Sequence, residues 1–115
     1  IKKLKVPIYT MNDIDKLGIN RLIAKVLKQF REKVDHIHIS FDADSVDPSV
    51  TPGVGTPVSG GLSYREAHLL METIAECGCM SSLEIAEVNP ILDNKNQSAS
   101  FITELIASSM GQRII

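Results

Sequence analysis

One stretch constrains this chain more than any other: residues 38–48, with the sequence HISFDADSVDP. Residues i and i+2 of a strand point to the same side, so Asp42 and Asp44 should project together where the strand ends. Parallel α/β sheets bind ligands at the carboxyl ends of their strands. Two convergent carboxylates repel each other unless a cation, a proton or a basic side chain compensates. No Lys or Arg follows until Arg65, so we predict a divalent metal at Asp42 and Asp44.

The simpler interpretation of these acids is that they cap the turn before Pro48, a common role of Asp. We favour that role for Asp47 and the metal role for the pair Asp42 and Asp44. His38 lies four residues before Asp42 on the same face of the predicted strand, so it is a candidate to support a metal ligand through a hydrogen bond. A lone strand histidine is more often a structural residue.

Composition favours one soluble globular unit. The chain has 115 residues, 43% of them hydrophobic, and a net charge of −2. Its basic residues lie beside or among acidic ones, which is typical of a solvated helix face and not of a nucleic-acid site. No apolar run approaches the roughly 18 residues of a membrane span, and no signal peptide is visible, so we predict a cytoplasmic protein without a membrane partner. Because the chain begins at Ile1 and enters a strand-like run at once, we expect it to be a piece of a longer protein.

Cys77 and Cys79 are the only cysteines of the chain. A Cys-Gly-Cys pair without a second Cys or His cluster makes a poor zinc site. A disulfide between residues this close in sequence is expected to be strained. The sequence therefore predicts two reduced thiols, which fits the cytoplasm.

Strand-like and helix-like segments alternate along the chain, which predicts an α/β fold with a parallel sheet and helices on both faces. Ser63 and Glu66 form a capping box, and Gly78 is a natural helix stop. Glu87 ends its strand as Asp42 does, so the two acids are expected to face one crevice. Glu84 points the other way. The predicted order is strand 5–10, a short helical turn capped by Asn12 or Asp13 and ending near Gly18, helix 19–34, strand 36–42, Pro/Gly-rich loop 48–61, helix 62–78, strand 82–88 and helix 98–110.

Three segments carry a resemblance to a known family: SFDADSVDP (40–48), TPGVGTPVSGGLSYRE (51–66) and EVNP (87–90). Together they resemble the ureohydrolases, and within them the arginases of bacterial type. The resemblance covers residues 1–115, which correspond to the C-terminal portion of one arginase-like α/β domain without its upstream part. It implies a doubly wound parallel sheet and two manganese ions. It also implies hydrolysis of L-arginine to L-ornithine and urea by a metal-bridging hydroxide in the complete enzyme.

The resemblance also implies roles for single residues. Asp42 is expected to bridge the two manganese ions and Asp44 to bind one of them. Glu87 is expected to contact the substrate guanidinium, and Thr56 to lie beside the substrate. Arg65 matches a position of subunit contacts, and the family suggests a homo-oligomer, a trimer or a hexamer. Hard oxygen ligands suit manganese, and a carboxylate can hold a planar guanidinium by charge-assisted hydrogen bonds.

Part of the family's site has no match in this chain. An upstream His, an Asp-x-His-x-Asp motif and the histidine assigned to proton transfer do not occur. We therefore assign no certain catalytic residue in this chain. We expect the chain to contain half a metal site and to have little activity alone. Two alternatives stay open: another amidinohydrolase such as agmatinase, against which Asn89-Pro90 argues, or a non-catalytic binding or assembly fragment.

Overall fold

The computed structural model describes residues 6–114. A 3₁₀ turn, Ala43–Ser45, directly follows Asp42. The order of elements confirms the predicted α/β class. The regular elements of the described part are α1 (Met11–Leu17), α2 (Ile19–Arg31), β1 (Ile37–Asp42), α3 (Tyr64–Cys77), β2 (Met80–Ala86) and α4 (Gln97–Ser109).

The two described strands, β1 and β2, lie side by side and run parallel. Their register pairs Phe41 with Ile85 and Asp42 with Ala86, so both strands end at the same edge. Ile37 and Phe41 are buried and face the core, while the alternate residues of β1, including Asp42, are exposed. This alternation agrees with the pattern expected of a strand that has one apolar and one polar face.

Three helices enclose the core. α3 packs against both α2 and α4. Its capping box forms as predicted, with the Ser63 hydroxyl and the Glu66 carboxylate bonded to each other's backbone N–H, and Gly78 ends it in the left-handed conformation at φ 63°. The buried core spans helices, strands and the loop after β1: Ile19, Leu27, Ile37, Phe41, Ala43, Val46, Val54, Leu62, Ala67, Met71, Ile74, Phe101, Ile102 and Leu105.

The predicted strand 5–10 is wrong within the described residues, and Lys5 lies outside them. Residues 6–10 have no regular structure, and Val6 and Ile8 are exposed. A strand needs a neighbour to bond its backbone, and Pro7 offers no N–H. The N-cap of α1 is Thr10 and not the predicted Asn12 or Asp13, which both lie inside the helix. Asp13 contributes to the cap from the third helical position, where its carboxylate accepts from the Thr10 N–H at 2.7 Å.

Other boundaries moved as well. Helix 19–34 ends at Arg31, and strand 82–88 begins at Met80 and ends at Ala86, since Glu87 has a positive φ of 62°. The remaining predicted elements after residue 18 have bounds within two residues of those observed. In residues 6–114 no helix is both long and apolar enough to span a membrane.

The cysteine prediction is also wrong. Cys77 and Cys79 form a disulfide, with their Cα atoms 5.3 Å apart. That separation lies within the ordinary range for disulfides. Gly78, between them, takes the left-handed conformation that ends α3, and this turn brings the two side chains together. The spacing of the two cysteines does not reveal this turn, because it depends on the conformational freedom of the intervening glycine.

Candidate active site

Two acids lie at the edge where the parallel strands end. Asp42 is the last residue of β1, and Glu87 directly follows Ala86, its partner at the end of β2. Glu87 holds a left-handed backbone at φ 62°, which costs on the order of 1 kcal/mol for a residue with a side chain. Such conformations persist where surrounding structure imposes them and are common at functional sites.

Asp42 and Asp44 share the 3₁₀ turn after β1. The N–H of Asp44 donates to Oδ1 of Asp42 at 3.1 Å, and the Ser45 hydroxyl donates to the Asp42 carbonyl at 2.6 Å. The pKa of Asp42 is raised, first by desolvation and then by the hydrogen bond and negative charge of the Asp44 side chain, which outweigh the N–H bond. Within the described residues, no basic side chain forms an ion pair with either acid.

The loop 48–61 brings Thr56 to these acids. The Thr56 hydroxyl donates a short hydrogen bond to Oδ2 of Asp44. The preceding residue, Gly55, lies against Glu87, since a Cβ at Gly55 would be 3.7 Å from Oε2 of Glu87. Four residues chosen from the sequence, Asp42, Asp44, Thr56 and Glu87, therefore surround one edge of the sheet.

Asp47 takes the turn role that we favoured for it. Its Oδ1 accepts from the N–H and the hydroxyl of Ser49, and its Oδ2 accepts from the N–H of Gly60 at 2.8 Å. These bonds, led by those from Ser49, lower the pKa of Asp47. Asp47 thus ties the beginning of the loop to its end and does not turn toward the acid pair.

His38 shares a strand face with Asp42 but bonds elsewhere. Its Nδ1 lies 2.8 Å from Oγ of Ser82, and its Nε2 lies 3.7 Å from Oε1 of Glu84. Glu84 also accepts from the Ser40 hydroxyl at 2.7 Å. His38 therefore belongs to a polar ladder across the two strands, and its predicted support of a metal ligand stays a prediction.

Comparison with known proteins places this geometry in a family. A model of the Arginase family matches residues 1–111. The chain belongs to the arginase family. It is 45% identical over 115 residues to the arginase of Bacillus caldovelox and 44% identical to that of Bacillus subtilis. All of this chain is covered in both matches, but it spans only 38% of each of these relatives.

Solved structures confirm the arginase-like fold. The native arginase of Bacillus caldovelox matches all of this chain and 38% of its own, with a TM-score of 0.95 and 45% identity. A formimidoylglutamase from Bacillus subtilis matches 95% of this chain and 34% of its own, with a TM-score of 0.90 and 31% identity. Because enzymes named for different substrates share this fold, the fold by itself leaves the substrate open.

For an arginase-family chain, the donor set at the sheet edge fits a hard divalent cation. Asp42 and Asp44 offer carboxylate oxygens, the ligand type that manganese prefers, and their mutual repulsion is relieved by a cation. Within residues 6–114, however, no group of three or more His, Cys, Asp or Glu side chains is arranged to hold a metal. A metal site that Asp42 and Asp44 form in part therefore stays a prediction.

Arg65, the predicted subunit contact, is bonded within the chain. Its guanidinium makes a two-pronged ion pair with Glu72, at 3.0 and 3.1 Å. This pair was not predicted, although a spacing of seven residues, two helical turns, places both side chains on one face of α3. The contacts by which segment 89–98 holds the loop 48–61 in place were not predicted either.

Proposed function

We propose that this chain carries the manganese-binding carboxylates and the guanidinium-binding acid of an arginase, which hydrolyses L-arginine to L-ornithine and urea. The observation that carries the proposal is the convergence of Asp42, Asp44, Thr56 and Glu87 at the ends of β1 and β2. The chain's similarity to named arginases supports the choice of substrate.

In this proposal the carboxylates of Asp42 and Asp44 would hold manganese. Bound manganese supplies the Lewis acidity that makes water nucleophilic at neutral pH. The chain's own contribution is to fix the ligands: the N–H of Asp44 orients Asp42, and the Thr56 hydroxyl orients Asp44. A ligand held by such bonds needs no reorganisation when the metal binds.

Glu87 is proposed to bind the guanidinium of arginine. A carboxylate and a guanidinium form paired, charge-assisted hydrogen bonds, which fix the plane of the substrate as well as its position. Because Glu87 follows the end of the strand beside Asp42, it would hold the guanidinium at the same edge of the sheet as the proposed metal ligands. Thr56 follows Gly55, which lies against Glu87, and is proposed to lie beside the substrate.

We further propose that residues 1–115 form the C-terminal portion of one arginase-like domain, that other residues of the whole protein complete the metal site, and that the chain alone is nearly inactive. A cytoplasmic location and a homo-oligomer, a trimer or hexamer in which Arg65 takes part, also stay proposals. Two observations support the proposal that residues 1–115 are only part of the domain: the incomplete ligand set among residues 6–114 and the chain's 38% share of its relatives.

The test measures urea release by the manganese-loaded whole protein, with L-arginine and agmatine as separate substrates. We expect release from arginine, and a loss of at least about 100-fold in kcat/KM in Glu87→Gln, since a charged contact to the reacting group is removed. Glu76→Gln is the matched control, because Glu76 is exposed on α3 and paired with Arg113. Release from agmatine alone would make the protein an agmatinase, and release from neither would favour a non-catalytic role.

A further inference from the structure

The start of α4 is capped by a residue outside the helix. Asn96, at the N-cap, has a left-handed backbone and makes no side-chain capping bond. Asp93 replaces it: Oδ1 accepts from the N–H of Ser98 at 3.0 Å and Oδ2 from the N–H of Ala99 at 3.1 Å. A carboxylate here satisfies free amides and faces the positive end of the helix dipole. Desolvation raises the pKa of Asp93, but its hydrogen bonds lower the pKa by more, so it lies below its ordinary value.

Gly53, in the loop 48–61, lies directly against this cap. A Cβ at Gly53 would stand 2.6 Å from Cβ of Asp93 and 2.8 Å from its Cγ, so a larger residue requires a segment to shift. The Gly53 N–H donates to Oγ of Ser98, and its carbonyl accepts from the N–H of Asn89, both at 2.8 Å. Ser98 is 1% exposed, so water does not compete for the first bond. We name Gly53, Asp93 and Ser98 the loop clamp.

The loop clamp joins the two segments that carry the candidate substrate residues. Gly55, two residues after Gly53, lies against Glu87, and Thr56 comes next. On the other segment, Asn89 follows Glu87 by two residues and donates to Gly53. A shift of the clamp therefore moves Thr56 and Glu87 relative to each other.

We propose that Asp93 and Ser98 are positioning residues: acting through Gly53, they set the placement of Thr56 against Glu87 and thereby the affinity of the site for its guanidinium substrate. This inference rests on the proposed function, because it takes Glu87 as the substrate-binding acid. Asp93 and Ser98 themselves bond to helix and loop backbone and act only through the loop.

The first test is Ser98→Ala in the manganese-loaded whole protein. The change removes the acceptor of the Gly53 N–H and little volume. Losing one shielded hydrogen bond is expected to raise KM for arginine about tenfold with kcat nearly unchanged, as when uniform binding is lost. Amide hydrogen exchange at Gly53 should quicken by about the same factor, with or without substrate. Ser100→Ala is the control, since Ser100 is exposed on α4 and its hydroxyl makes no hydrogen bond within residues 6–114.

The second test compares Asp93→Ala with Asp93→Asn. Alanine removes both oxygens that hold the amides of Ser98 and Ala99, whereas asparagine keeps one acceptor. We expect KM to rise most in Asp93→Ala and to be partly restored in Asp93→Asn. A merely structural role would lower the melting temperature of both variants without this graded change in KM.

The outcomes separate the two proposals. If the wild type hydrolyses arginine and Ser98→Ala leaves KM unchanged, the inference is overturned whatever the exchange rate at Gly53. If the wild type releases no urea from arginine, the proposed function fails and the inference fails with it. A rise in KM in Ser98→Ala and Asp93→Ala, absent from Ser100→Ala, supports the inference.

Discussion

Glu72 and Asp42 are two acids in opposite electrostatic settings. Glu72, on α3, is buried and receives both prongs of the Arg65 guanidinium and the N–H of Ile114. The Arg65 bond is the main reason that the pKa of Glu72 is lowered. Asp42 is exposed, has another acid two residues away and lacks an ion-pair partner within residues 6–114. Its pKa is raised.

The difference separates an acid that the fold neutralises from an acid without an ion-pair partner within residues 6–114, as expected of the proposed metal ligand. An acid that the chain itself neutralises needs no further partner. An acid beside another acid destabilises the folded chain unless a bound cation neutralises the repulsion. Acids of this kind are common at functional sites. The predictions below exploit this contrast between Glu72 and Asp42.

The largest expected effect is on metal binding. Replacing both acids of the site, Asp42→Asn with Asp44→Asn, should weaken manganese binding by the whole protein by more than about 100-fold, because loss of supporting bonds alone costs 10–100-fold. Calorimetry measures it. The control, Asp15→Asn with Asp35→Asn, changes the net charge equally at two exposed acids and should bind as wild type. Equal affinity for manganese in both double variants would show that Asp42 and Asp44 are not metal ligands.

The next effect is on folding. Glu72→Gln should lower the free energy of unfolding by about 1 kcal/mol, because it removes the charge that compensates Arg65. The figure is below that for a fully buried pair, since the Arg65 side chain is 53% exposed. Urea denaturation measures it, with Glu32→Gln as a comparison, since Glu32 is exposed and its side chain makes no ion pair within residues 6–114. A stabilised Glu72→Gln would contradict the structural role of the pair.

Removing the charge of Asp42 should have the opposite effect on the free energy of unfolding. In metal-free protein, Asp42→Asn should raise the free energy of unfolding by a few tenths of a kcal/mol, because it relieves repulsion from Asp44 at a solvent-exposed position. Excess manganese should reverse the order, since it stabilises only the protein that binds it. A lower free energy of unfolding in metal-free Asp42→Asn would contradict net repulsion between Asp42 and Asp44.

The smallest effect is a pH dependence. Because the pKa of Glu72 is lower in the folded state, its stabilisation is present above the unfolded value and is lost as pH falls through the folded value. The stability difference between wild type and Glu72→Gln should therefore be constant near neutral pH and shrink below about pH 4. Denaturation curves at pH 7, 5 and 3 test it. A difference that grows in acid would have the wrong sign.

Local chemistry made much of the fold predictable. The capping box of Ser63 and Glu66, the helix stop at Gly78 and the alternation of β1 depend on residues a few positions apart, and the structure confirms them. The parallel pairing of β1 and β2 followed from the alternation of elements. That pairing made it possible to expect Asp42 and Glu87 at one edge, although their metal and substrate roles stay predictions.

The failures came from contacts that a local pattern does not contain. The apolar run 5–10 was interpreted as a strand, but no strand of the described residues pairs with it. The loop clamp joins Gly53 to Asp93 and Ser98, about 40 positions away, and glycine carries no signal for its partner. The disulfide of Cys77 and Cys79 depended on a backbone conformation at Gly78 that spacing alone did not reveal.

The left-handed backbone of Glu87 has a consequence for protein engineering. Glycine adopts this conformation without the cost that a side chain incurs, so Glu87→Gly would relax the backbone where the candidate substrate acid stands. A library selected for thermal resistance alone would favour a substitution that removes the proposed guanidinium contact. Selection for stability at this position must therefore be coupled to a screen for turnover, or it will enrich inert variants.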